Sequence, residues 1–206
     1  MRRSFVCVFL LAFGASPVMG QGLEFSGGVN FAKLSGEAVD AAVNAGMNFG
    51  VDLVIPVGPI GLNIGADWSQ KGVEQAVANA INVIDLSYID VPLHVRLPLV
   101  GAGPVRLNLV VGPTVGINTG CEISIDAAAA QDCADVAQGQ GGAIDVKSLD
   151  WAGTTGLGLS FRFGSIAYAG IDLAYTFGLS SIDEAASNAL KTRTFTLKSH
   201  LGFDVF

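Results

Sequence analysis

The chain has 206 residues, of which 27 are glycine and 14% are charged, and its formal net charge is -7. Such an acidic balance excludes nucleic acid as a partner, because a polyanion would be repelled. The mean hydropathy of +0.52 is high for a soluble enzyme, yet no apolar run approaches the ~20 residues of a helical membrane span.

Residues 1–20 read as a targeting segment. Arg2 and Arg3 form a basic start, Phe5 to Phe13 an apolar core, and Ala15, Ser16, Pro17, Val18 and Gly20 a small-residue approach to a cut. This is the pattern of a Sec-type signal peptide, with cleavage expected after Gly20. Loss of Arg2 and Arg3 takes the charge from -7 down by two, to -9. Cys7 leaves with the segment and does not follow the cut, so no lipid attachment is expected. Residues 21–206 then form one domain.

Eight stretches alternate apolar and polar residues, at roughly 22–34, 46–56, 60–69, 83–97, 105–118, 148–163, 166–179 and 192–206. Met47-Asn48-Phe49-Gly50-Val51-Asp52-Leu53 is the clearest. Period-two patterning places successive side chains on opposite faces of a sheet. The gaps between the stretches alternate long and short from beginning to end. Short periplasmic turns, longer external loops and an even strand count describe a transmembrane β-barrel. The fold class expected is therefore all-β: an eight-stranded antiparallel up-and-down barrel in the bacterial outer membrane.

One face of these strands is bulky and apolar, with Phe25, Phe49, Leu53, Trp68, Leu109, Leu157, Leu173 and Leu197 among its members. The other interleaves charged residues with Gly50, Gly65, Gly112, Gly116, Gly156, Gly158 and Gly170. Eight strands enclose little interior volume. The glycine-relieved polar face must therefore point inward and the bulky face toward lipid. Asp52, Asp67, Asp90, Asp150, Asp172 and Asp204 would then share the lumen with Arg96, Arg106, Arg162 and Lys198. Buried charges persist only when paired, so a side-chain-filled lumen is expected. Phe31, Trp68, Trp151, Phe177 and Phe195 fall near the outer rim, and Phe25, Phe161, Phe163, Phe203 and Phe206 near the periplasmic one, as two aromatic girdles. Tyr88, at mid-strand, breaks the pattern.

In the fourth strand Ile84, Leu86 and Tyr88 are in one phase, and Ile89, Val91, Leu93, Val95 and Leu97 in the other. An extra residue near Tyr88–Asp90, a β-bulge, would return both halves to the lipid face, and would also accommodate Pro92. Trp68-Ser69-Gln70-Lys71-Gly72, followed by Leu86-Ser87-Tyr88-Ile89-Asp90-Val91-Pro92-Leu93, resembles the porin-family outer-membrane β-barrel domain that includes PorT-like proteins. Gly112-Pro113 in the next strand adds to that likeness. The resemblance spans essentially the whole mature chain. It implies an integral eight-stranded barrel, generally without a characterised activity. Phe206 looks like the terminal aromatic recognised by the barrel-assembly machinery.

The mature chain keeps two cysteines, Cys121 and Cys133, both in the longest connection. An even count in an exported protein predicts their disulfide, worth roughly 3 kcal/mol in the chain-entropy model. Glu122, Asp126, Asp132, Asp135 and Asp145 make the 119–147 loop acidic. The sequence carries no phosphate-binding glycine loop and no His/Cys metal spacing, so no cofactor, metal or catalytic residue is expected. The only histidines, His94 and His200, point inward in the periplasmic half, where His200 could share a level with Ser160 and Asp204. The leading function is a structural or surface-interaction barrel acting through its external loops. A narrow channel for ions or small solutes is the alternative, and an embedded enzyme a distant third. The expected partners are outer-membrane lipid, the barrel-assembly machinery during biogenesis, and an unidentified surface or periplasmic protein.

Overall fold

The computed structural model describes residues 22–36, 39–40, 42–77, 80–125, 130–133, 147–181 and 191–205. The signal segment, Phe206, and Asp126, Asp135 and Asp145 of the acidic loop lie outside these residues. In chain order the strands are β1 (Gly22–Gly36), β2 (Val39–Asp40), β3 (Ala42–Val57), β4 (Ile60–Val77), β5 (Ala80–Ala102), β6 (Val105–Ile125), β7 (Gln131–Asp132), β8 (Leu149–Phe163), β9 (Ala167–Gly178) and β10 (Lys191–Asp204). Eight are barrel staves, in the order β1-β3-β4-β5-β6-β8-β9-β10, and β10 closes on β1 from Gly22↔Asp204 to Ser35↔Lys191. The two short ones, not anticipated from the sequence, only flank β1 and β6.

Glycine chemistry sets the tight end of the barrel. Val57-Gly58-Pro59-Ile60 and Ala102-Gly103-Pro104-Val105 each place a glycine at positive φ, 62° and 58°, immediately before proline. Glycine at the first central position, with proline fixing the second, suits a type II′ hairpin, whose twist matches that of the flanking strands. Gly164, at φ 70°, opens the third turn, a three-residue loop between the paired Phe163 and Ala167. These three turns mark the periplasmic end.

Register fixes the bore. Leu23 lines up through Leu53 and Ile64 with Leu93, whereas Val95 lines up through Val111, Thr155, Tyr175 and Phe195 with Phe31. Leu93 is two residues above Val95, so one circuit ends at Lys33, ten residues above Leu23. A stagger of ten over eight strands inclines them by about 40° at a backbone radius of about 8 Å, leaving space inside for side chains alone.

The faces divide as composition requires. Phe25, Phe49, Leu157, Leu159, Phe161 and Ile171 stand exposed on the outside, and Glu24, Asn30, Asp52, Asp150, Asp172 and His200 are buried within. Ring pairs lie at both interfaces, Phe31–Phe195 and Phe49–Trp68 above and Phe161–Phe163 below, with centroids 6.5, 6.1 and 6.0 Å apart.

One expectation is overturned. β5 has no bulge near Tyr88: its pairing with β4 keeps one register from Gly61↔Arg96 to Val77↔Ala80. The extra residues are Thr119 in β6 and Leu99 in β5. Ile84, Leu86 and Tyr88 point inward, at 8, 2 and 0% exposure, in phase with Asp90 and Arg96. The polarity of the two faces inverts, not the backbone. Above Tyr88 the strand stands in water, so its apolar residues turn inside; from Ile89 downward it stands in lipid, so they turn outside. The outer membrane surface therefore crosses β5 between Tyr88 and Ile89, and the girdle exception disappears.

Candidate functional site

The lumen is built in tiers. At the periplasmic mouth Arg106, Arg162, Tyr168 and Asp204 line a vestibule of about 420 Å³ that reaches up to Glu24 and Arg96. Arg162 is ion-paired with Asp204 and lies 5.7 Å from the Tyr168 ring centre. The next tier shuts the vestibule: Arg96 Nη2 donates to Glu24 Oε1 at 2.8 Å and to Asp172 Oδ2 at 2.9 Å. His200, its side chain wholly buried, lies 3.4 Å from Asp172 and 4.0 Å from Glu24. Above it Lys198 sits 3.3 Å from Asp67 and 3.8 Å from Asp52. Higher still, Lys71 Nζ donates to Asp90 Oδ1 at 2.8 Å and rests 4.4 Å from the Tyr88 ring centre. Between the tiers lies a cavity of about 60 Å³, room for a few waters.

Neutral groups complete the packing. His94 Nε2, Thr114, Thr154 and Thr176 form a ladder with 3.0 Å steps that ties β5, β6, β8 and β9 together. Asn30 donates to Ser69 Oγ at 2.8 Å and accepts from Thr196 at 2.8 Å. Glycines make this crowding feasible: a Cβ on Gly50 would overlap the Asp67 carboxylate, and one on Gly65 that of Asp52.

Of the ten charged residues assigned to the lumen from sequence, eight lie in these ion pairs: Asp52, Asp67, Asp90, Arg96, Arg162, Asp172, Lys198 and Asp204. Asp150 is buried but held by hydroxyls, accepting from Ser180 at 2.7 Å and Thr192 at 3.0 Å. Arg106 departs from expectation. It is exposed at the vestibule, with no ion-pair partner among the described residues, because its position one residue above a tight turn lies below the closing tier. Glu24 and Lys71, not anticipated, are central. Glu24 was legible from its phase with Asn30. Lys71 was hidden because β4 runs to Val77 rather than ending near Ser69. Ser160 does not join His200, whose acidic neighbours are Glu24 and Asp172, and Asp204 is engaged by Arg162.

Glu24, Asp172 and His200 are the one described group whose donor atoms, all within 4.8 Å of one another, could hold a metal ion. The Arg96 guanidinium already bridges both carboxylates. The protein thus supplies the cation itself.

At the outer end β4, β5 and β6 rise beyond the other staves. Cys121 and Cys133 are joined in a disulfide with Cα atoms 5.5 Å apart, clasping β7 to the free edge of β6. Asp85, Glu122 and Asp132 fall in one cross-strand row there.

A family model described as outer membrane protein beta-barrel domain matches residues 20–184. No curated protein matches the chain. Among solved structures, the attachment invasion locus protein Ail of Yersinia pestis is similar at 14% identity and TM-score 0.45, over 90% of this chain and 99% of that one. Neisserial surface protein A is similar at 10% identity and TM-score 0.47, over 88% and 96%. The N-terminal barrel of Pseudomonas aeruginosa OprF is similar at 13% identity and TM-score 0.42, over 90% and 97%.

Proposed function

The chain belongs to the outer membrane protein β-barrel domain family and resides in the bacterial outer membrane, and from that premise we propose that it is a closed barrel with a structural or surface-interaction role. The observation that carries this reading is the stack of ion-paired tiers. Arg96 with Glu24 and Asp172, Lys198 with Asp52 and Asp67, and Lys71 with Asp90 cross the bore at successive heights. A solute would have to break several buried pairs at once, each costing several kcal/mol. The contact surface is the raised β4–β6 wall, which the disulfide stiffens where no neighbouring stave supports it. The barrel-assembly machinery is the partner during insertion. No catalytic role is assigned to the lumenal histidines, since each faces a filled interior. Planar-bilayer recording of the purified protein tests the reading. The expected result is no steady single-channel current; a reproducible unitary conductance would replace it with a narrow channel for ions or small solutes.

A further inference from the structure

Eight lysines and arginines lie in the described strands, and five of them, Lys71, Arg96, Arg106, Arg162 and Lys198, face the lumen. The other three, Lys33, Lys191 and Arg193, face outward, and all three lie together on the β1–β10 seam. Lys33 is directly opposite Arg193, and Lys191 is one outward position further up, opposite Ser35. Like charges directly opposed on one face repel. Among the described residues none of the three forms an ion pair. Register places the backbone of Asp40 on the far side of Ser35 from Lys191, two strand spacings or about 10 Å away across β1. Among the described residues Arg193 Nη1 donates to the Tyr175 hydroxyl, at 3.4 Å.

The height of this cluster is informative. Phe31 and Phe195, the ring pair of the outer girdle, lie two residues below Lys33 and Arg193 on the same outward face. The cations therefore stand where acyl chains give way to headgroups, on lipid-facing wall, at the extracellular end. At the opposite end the outward face carries Phe25, Phe161, Phe163 and Phe203 and no described cation. A self-repelling basic cluster on one leaflet boundary, with no ion-pair partner among the described residues, is matched by an anion from outside the protein.

We propose that Lys33, Lys191 and Arg193 form a binding site for the phosphorylated headgroup of the outer-leaflet glycolipid, lipid A. Its acyl chains lie against Phe31 and Phe195, and its phosphate bridges β1 and β10 across the seam that closes the barrel. Arg193 supplies a planar fork matched to phosphate oxygens, and the two lysines supply flexible point charges on apolar stems. This site lies on the outer wall, so it goes beyond the proposed surface role and stands independently of whether the lumen conducts.

Native mass spectrometry of the whole barrel in detergent, titrated with bis-phosphorylated lipid A, tests the site. Three cations near an anionic headgroup, each worth about fivefold in affinity, predict about a hundredfold weaker retention in the triple variant Lys33→Gln/Lys191→Gln/Arg193→Gln. Dephosphorylated lipid A should bind wild type and variant alike, and inorganic phosphate should compete only weakly. In lipid-A-free detergent the triple variant should fold at least as well as wild type, since opposed like charges have been removed. Arg193→Gln alone, which leaves two cations, should show an intermediate loss and serves if the triple variant fails to fold. Equal retention of bis-phosphorylated lipid A by wild type and the variants would overturn the proposal. So would equal retention by wild type of the dephosphorylated lipid, or full displacement by inorganic phosphate.

Discussion

Replacing Arg96 with alanine isolates the closing tier. Its guanidinium holds Glu24 and Asp172 at 2.8 and 2.9 Å, with side-chain exposures of 10, 0 and 5%. Deleting one partner of a buried pair costs about 3–5 kcal/mol, because the remaining charge is stranded. Arg96→Ala strands two carboxylates, so a loss at the upper end of that range is expected, on the order of a thousandfold in the folding equilibrium. Arg106→Ala removes the same side chain from the exposed vestibule and should fall within about 0.5 kcal/mol of wild type. Urea titration in lipid vesicles can compare them, read by Trp68 and Trp151, which stand on the lipid face and change surroundings on unfolding. Adding Glu24→Gln and Asp172→Asn to Arg96→Ala should recover much of the loss, because no buried charge is then unpaired. If Arg96→Ala unfolds like Arg106→Ala, the tier is not the electrostatic unit described and the filled-lumen reasoning fails.

Tyr88→Ala should cost about 3–5 kcal/mol in the same titration, as expected for a wholly buried aromatic; a lipid-facing Tyr88 would give a much smaller change. Gly50→Ala forces the Asp67 carboxylate away from Lys198 and should cost about 1–3 kcal/mol, with no change in strand content by circular dichroism. Alkylation without prior reduction should leave Cys121 and Cys133 unmodified in the mature protein, and two alkylated thiols would contradict the bridge. The Cys121→Ser/Cys133→Ser variant should still form the barrel but lose protease resistance above the membrane surface, a change that limited proteolysis would detect.

The number of staves, their antiparallel order and the inward set were legible because lipid, a solvent of one polarity, imposes a strict alternation. Legibility ended where that solvent ended. Above the membrane surface β5 obeys the rule of a water-soluble sheet, so Ile84, Leu86 and Tyr88 looked like a shift of register when the strand was unbroken. For the same reason β4 seemed to stop near Ser69, and Lys71, just past that bound, was not counted among the lumenal charges with its partner Asp90. Arg106 has the alternation of a lumenal residue, and it does face inward. Periodicity assigns a face but not a depth, and only depth separates a buried pair from a solvated mouth.

Closure of β10 on β1 joins residues that are far apart in the chain: Gly22 and Asp204 differ by 204 minus 22, or 182, positions. Bringing such distant ends together costs roughly 4–5 kcal/mol of chain entropy, and until that happens both edges offer unpaired backbone to any passing strand. The ring is therefore all-or-nothing, vulnerable to cross-linking with its neighbours throughout the wait for its last stave. It also follows that sequence order is incidental to the finished object. Tying Asp204 to Gly22 with a short linker and cutting at Gly58-Pro59 should yield a circular permutant with the same eight pairings, whose last-made joint is the present β3–β4 contact.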